Sequence, residues 1–146
     1  MRKAVIVIIM LFAIFLFGCS QFGNNSPFIT PLSPKEVIRP VTSSYLVEFY
    51  VSNPTTNTIS ANITYKYDKC LTTDGGDKQP VQLPQNDRLA YSKEFYHVKL
   101  DQYGRPYNSI RSECLQKPLK ISVELRDAGG DLRSTADFVV TLTSTQ

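Results

Sequence analysis

Between Ile59 and Tyr67 apolar and polar residues alternate without a break. Successive side chains of an extended strand point to opposite faces. A period of two therefore gathers Ile59, Ala61, Ile63, Tyr65 and Tyr67 on one face and leaves Ser60, Asn62, Thr64 and Lys66 to water. A strand of this kind is apolar on one side only and has to be covered by a second layer. The stretch before it repeats the pattern, with Tyr45, Val47, Phe49 and Val51 on one face and Glu48 and Tyr50 on the other. Ser52-Asn53-Pro54-Thr55-Thr56-Asn57 lies between them and holds the residue types that turns use. The two segments are expected to pair side by side, antiparallel, across a longer loop.

The signature returns near the other end of the sequence. Leu119, Ile121, Val123 and Leu125 alternate with Lys120, Ser122, Glu124 and Arg126. Asp127-Ala128-Gly129-Gly130-Asp131 turns the chain, and Phe138, Val140 and Leu142 form the returning strand. In between, Asp74 to Asp77 opens a polar loop and Val81 and Leu83 mark a short strand. Arg88 to Leu100 alternates imperfectly, as one bulged strand or two short ones. Tyr103-Gly104-Arg105-Pro106 reads as a turn, and no stretch has a helical period. Six or seven short strands at this spacing predict an all-β chain built as an antiparallel sandwich. The run Val47-Glu48-Phe49-Tyr50-Val51-Ser52-Asn53 resembles the start of cell-surface sandwich modules of the immunoglobulin, fibronectin type III or CARDB kind, which implies an immunoglobulin-like β-sandwich. An edge-open sandwich of this type accepts a strand from a partner.

Ahead of these strands, Ser20 to Ser44 lacks periodicity and carries Pro27, Pro31, Pro34 and Pro40. Frequent prolines favour extended backbone, so this segment reads as a tether; a stretched 20-residue length of it would reach ~60 Å at ~3.1 Å per residue. A second reading lays Glu36 to Pro40 along the domain as a first edge strand, a place where proline is tolerated.

The chain opens with Arg2 and Lys3, then an unbroken apolar run of 14 residues from Ala4 to Phe17. As a helix that run spans ~21 Å, short of a ~30 Å hydrocarbon core. A basic start, an apolar run and a small residue form a secretory signal. Leu16-Phe17-Gly18-Cys19 resembles the lipobox of prokaryotic lipoproteins. The resemblance implies cleavage before Cys19, a diacylglyceryl group on its sulfur and attachment to a membrane through that lipid. Ser20 in the next position resembles outer-membrane lipoproteins, so the expected place is the outer membrane or the cell surface. The expected layout is a signal peptide over 1–18, a lipid-anchored tether over 19–43 and the sandwich over 44–146. The alternative retains residues 4–18 as a helix in a surface filament or membrane complex.

With Cys19 assigned to lipid, Cys70 and Cys114 remain as an even pair in an exported protein, where disulfides persist. If paired, they close a loop of ~45 residues, worth ~4 kcal/mol by loop entropy. Loss of Arg2 and Lys3 with the signal takes the balance from 16 basic against 13 acidic groups to 14 against 13. Charges this balanced and interspersed leave no footprint for nucleic acid. Two distant cysteines and one histidine do not supply a zinc sphere, and no cofactor or metal is expected.

His97 is the single histidine, and neither Ser92 nor Ser109 forms a hydrolytic motif with it. Glu94 and Asp101 are a candidate carboxylate pair without an obvious cleft. The loops Asp74 to Asp77 and Asp127 to Asp131 lack calcium-loop spacing and read as ordinary turns. No enzyme is expected. The surface candidate for an envelope or surface partner is aromatic: Tyr91, Tyr96, Tyr103, Arg105 and Tyr107, residue types that offer apolar area with a polar tip. The alternative is that half of these aromatics fill the core. Asn24 and Asn62 stand in N-glycosylation acceptor patterns.

Overall fold

The computed structural model describes residues 25–97 and 112–144. Among these residues nine strands follow one another: β1 (Phe28–Pro31), β2 (Glu36–Pro40), β3 (Tyr45–Asn53), β4 (Ile59–Tyr67), β5 (Leu71–Thr73), β6 (Lys78–Leu83), β7 (Asp87–His97), β8 (Pro118–Asp127) and β9 (Leu132–Thr143). A 3-10 turn, Ser112–Cys114, precedes β8. The strands form two sheets, one ordered β1-β3-β7-β5 and the other β2-β9-β8-β4-β6. No helix among the described residues is long and apolar enough to cross a membrane.

The inner faces are the ones that alternation selects. Val47, Phe49, Val51, Ile63, Leu119, Ile121, Val123, Leu125, Phe138 and Val140 are sealed from solvent and interleave from both sheets into one core. Arg88 to His97 belongs to one continuous strand that pairs with β3 from Asp87 to Phe95 without a shift. The irregularity falls instead in β8, between Leu125 and Arg126.

The arrangement is an immunoglobulin-like sandwich, and it corrects three expectations. First, β3 and β4 are not side-by-side partners. β3 pairs with β1 and β7, and β4 pairs with β6 and β8. Each strand has one apolar face, and two such faces are buried more completely against each other than next to each other. The Phe49 and Tyr65 rings meet across the interface edge to face, with centroids 6.4 Å apart. Second, the segment from Phe28 to Pro40 is not all tether: β2 takes the edge position that the second reading gave Glu36 to Pro40, and β1 joins the other sheet. The sandwich therefore begins well before residue 44. Third, the pairing is not wholly antiparallel, because β2 runs parallel to β9. With β5, the strands β1 and β2 raise the number among the described residues to nine.

The loop from β3 to β4 is held by one buried amide. The Asn53 side chain is closed off from water. Its Nδ2 donates toward the carbonyls of Asn57 (2.8 Å), Leu83 (3.0 Å) and Pro84 (2.9 Å). Its Oδ1 accepts from the Thr55 N–H and hydroxyl. Two N–H groups shared among three carbonyls fix the arch that carries the chain from one sheet to the other.

Cys70 and Cys114 form a disulfide, closing a span of 44 residues and pinning the start of β5 to the 3-10 turn. At the opposite end, the hairpin turn between β8 and β9 places Gly130 at φ 93°, a conformation that suits glycine.

Candidate functional site

A sandwich has four sheet edges, and each exposes a row of backbone N–H and C=O groups unless something covers or interrupts it. β5 is three residues long and tied down by the disulfide at its start. Just before β6, Asp77 C=O accepts from the Tyr65 N–H. The alternation this sets turns Pro80 outward, and proline has no N–H to offer. On β1, the outward Ile29 N–H donates to Ser134 Oγ of β9, 3.0 Å away, so a side chain of the opposite sheet closes that edge.

The fourth edge differs. The Val139 N–H donates to the Lys35 carbonyl and the Val41 N–H to the Thr143 carbonyl. These bonds turn the odd-numbered residues of β2 toward β9, and alternation leaves the N–H groups of Glu36 and Ile38 pointing away from the sheet. Ile38 is 72 % exposed, the most exposed of the large apolar residues described. This rim is short. It runs into Pro40, which gives no donor, and it carries the charge of Glu36.

β2 covers only half of its neighbour. β9 spans Leu132–Thr143, but the pairing with β2 starts at Val139. The same alternation that aims the Val139 N–H at β2 aims the backbone groups of Thr135 and Asp137 to that side, where β2 has ended and β1, without a backbone ladder to β9, is the next strand. A cleft of about 500 Å³ opens there, lined by Ile29, Pro31, Lys35, Glu36, Thr135, Ala136, Asp137 and Val139. One wall is the bare half of β9 and the other is β1. The crossing from β1 to β2 closes one end. It is fixed by the Ser33 hydroxyl on Leu46 C=O (3.1 Å), the Glu48 N–H on Ser33 Oγ (2.8 Å) and the Tyr45 hydroxyl on Pro34 C=O (3.0 Å). Ile29 and Ala136 form an apolar floor, both nearly closed off by the protein. At the rim, Asp137 accepts from the Ser122 hydroxyl (2.6 Å) and pairs with Lys120 (2.9 Å), which hold its carboxyl below the usual range.

The residues expected from sequence fall elsewhere. Tyr91 lies on the inner face of β7, stacked on Phe49 with centroids 6.0 Å apart, and burial raises its phenol. Tyr96 lies on the outer face, where its hydroxyl donates to Glu94 Oε2 at 2.8 Å. The two tyrosines therefore face opposite ways and share no patch. Tyr103, Arg105 and Tyr107 lie outside the described residues, as do Cys19, Asn24, Ser109 and Asp101. Glu94 also accepts from Ser44 Oγ, and the Ser44 and Tyr96 bonds lower its pKa. Ser92 and His97 occupy opposite faces of β7. Asn62 sits mid-strand on the outer face of β4, between Arg126 and Pro80. In the acidic loops, Asp77 accepts from the Tyr67 hydroxyl, and Asp127 binds Arg133 and the Asp131 N–H. No cluster of three metal-binding side chains occurs among the described residues. Thr135, Ala136 and Asp137 carry no motif. Their placement follows from where β2 ends, which no local pattern marks.

No protein-family model matches this sequence, and no curated protein matches it. Its fold is similar to solved structures. Salmonella alpha-2-macroglobulin reacted with methylamine aligns with a TM-score of 0.56 at 12% identity over 82% of this chain. The aligned part spans only 7% of the length of that protein. A chain from the complex between Zinc 2-glycoprotein and Prolactin inducible protein of human seminal plasma aligns at 0.55 and 10% identity, covering 84% of this chain and 99% of that one. A CARDB domain from Pyrococcus furiosus, solved with di-metal ions, aligns at 0.46 and 13% identity, over 80% of this chain and 92% of that one. Likeness at these identities concerns the fold.

Proposed function

We propose that this chain is a lipid-anchored protein of the cell envelope, acting outside the cytoplasm as a non-catalytic binding or assembly module. The observation that carries the reading is the state of the cysteines. Cys70 and Cys114 are joined within the sandwich. Disulfides persist in oxidising compartments, which fits an exported domain. Of the three cysteines, only Cys19 then stands outside the disulfide, and it follows Leu16-Phe17-Gly18 at the end of the apolar leader. Two acyl chains on that sulfur would hold the sandwich at the outer membrane or cell surface, since each buried CH₂ contributes ~0.8 kcal/mol. The cleft beside β9 supports a module that takes a partner, and one fold neighbour was itself solved in a protein–protein complex.

The anchor is tested by metabolic labelling with palmitate and by the intact mass of the native protein. The expected mature chain starts at Cys19, carries acyl groups and lacks two hydrogens at Cys70 and Cys114. The Cys19→Ala variant is expected to lose the label and accumulate as precursor. A wild-type protein without label refutes the anchor. A mature chain that still holds residues 4–18 transfers support to the structural subunit of a filament or membrane complex.

A further inference from the structure

We infer that the sandwich stands on the membrane that holds its lipid, with the end bearing the β3–β4, β6–β7 and β8–β9 loops against the lipid headgroups and the disulfide end turned away. The inference rests on the reading that Cys19 carries the lipid. It adds the surface of the domain that meets the bilayer and the cause of that contact, a short link.

The place where the chain enters the fold decides the orientation. Phe28 of β1 pairs with Ser52, at the end of β3 where Asn53 faces Asp87 of β7. In the other sheet Ile59 pairs with Leu83 and Arg126 with Leu132. The Asn53 side chain donates to Leu83 C=O, which joins these strand ends into one pole. Asn25 and Pro27 line a cleft there with Ile59, Leu125 and Arg133, so the chain comes in over this pole. Asn25 stands six residues beyond Cys19. Six residues reach at most about 22 Å when fully extended. β8, from Pro118 to Asp127, runs about 30 Å between the poles at ~3.3 Å per residue. An inverted domain would need Asn25 farther from the lipid than the link allows. Lying flat is disfavoured by charge. The outer face of the five-stranded sheet carries the Lys66–Glu124 and Lys120–Asp137 pairs, and that of the four-stranded sheet carries Glu48, Arg88 and Glu94. Pressing either face on lipid takes charged groups out of water. The loop tips of the entry pole, 54–58, 84–86 and 128–130, hold no charged residue. Phe28 and Leu132, both exposed, add apolar area at the same pole.

The test uses the acylated full chain in phosphatidylcholine vesicles that contain nitroxide-headgroup lipid, which quenches a fluorophore at short range. Thr56→Cys and Ala128→Cys place the fluorophore on the entry pole. Ser43→Cys places it at the other, beside the Tyr45–Phe95 pair. With Cys19 acylated and Cys70 bridged to Cys114, the added thiol takes the label. All three positions are exposed, so the labelled proteins should melt as the wild type does. Quenching is expected to be at least about threefold stronger at Thr56→Cys and Ala128→Cys than at Ser43→Cys, because the link holds the entry pole within ~22 Å of the lipid. A Gly-Ser insert of about twenty residues between Asn24 and Asn25, with an r.m.s. reach of about 25 Å, should reduce that quenching at least about twofold. Equal quenching at both poles, or stronger quenching at Ser43→Cys, would overturn the orientation. Quenching unmoved by the insert would overturn the link as its cause. Vesicle flotation separates this inference from the anchor. A chain that floats with the vesicles while Ala128→Cys stays unquenched overturns the inference alone, and a wild-type chain that does not float overturns the anchor beneath it.

Discussion

Asn53 is the residue on which the change of sheet depends. It is polar, fully enclosed, and bonded at every side-chain donor and acceptor. Asn53→Ala strands carbonyls of the arch without a partner. A buried polar group left unpaired costs ~1–3 kcal/mol, so the variant is expected to lose about 2–4 kcal/mol in urea unfolding. Two phenols report on their surroundings as sharply. Tyr67 is held up to about 12, first by its hydrogen bond to Asp77 and then by burial. Tyr65 is pushed up to about 12 chiefly by burial. A raised phenol keeps its proton in the folded chain when the unfolded chain has released it. Stability therefore falls as pH rises from about 10 toward 12. Absorbance titration should show Asp77→Ala lowering the Tyr67 transition toward 10 and leaving Tyr65 where it is.

At the scale of elements, the edges decide behaviour. β5 adds only three residues to its sheet, and the Cys70 to Cys114 bridge holds its start. That bridge spans β5, β6 and β7, so removing it restores freedom to more than a third of the domain in the unfolded chain. Replacing both cysteines with alanine is expected to lower stability by ~4 kcal/mol on the loop-entropy model. In the same variant, exchange at Leu71 to Thr73 should quicken before exchange in β8 and β9. Equal loss of protection in all strands would show that β5 melts only with the whole sandwich. β1 and β2 illustrate the opposite device: one prolyl segment splits between two sheets and closes part of each, leaving a gap at the switch.

Across the whole molecule, one core joins both sheets, so unfolding is expected to be a single transition by any probe. Several carboxylates sit below their ordinary values. Glu124 is lowered most by its hydrogen bond to Lys66, with Arg126 assisting. Asp127 is lowered most by Arg133, and Asp137 most by Ser122. For groups depressed in the folded state, the stabilisation is complete above the unfolded values, 4.5 for Glu and 3.8 for Asp, and is lost as pH falls through the folded ones. The melting temperature should therefore drop on acidification below about pH 4, and Glu124→Gln should make that drop shallower. A melting temperature indifferent to pH between 6 and 2 would contradict the ion pairs on the outer face of the five-stranded sheet.

The amino-acid sequence alone determined the strands with a clean period of two, the faces they bury and the class of fold. Val47, Ile63, Ile121 and Val140 went where alternation sent them, because a pleated strand leaves each side chain only two directions. It also made Cys70 and Cys114 the natural pair. Only tertiary structure decided which strands are neighbours, since an apolar face is satisfied equally well by any apolar layer laid on it. It decided that β3 and β4 face each other and that Tyr91 serves the core rather than a surface. It also decided that β2 stops short of Thr135. The cleft was invisible in the sequence because it is made of backbone groups that every residue possesses. Their availability depends on where a partner strand ends, and that is a property of the assembled sheet.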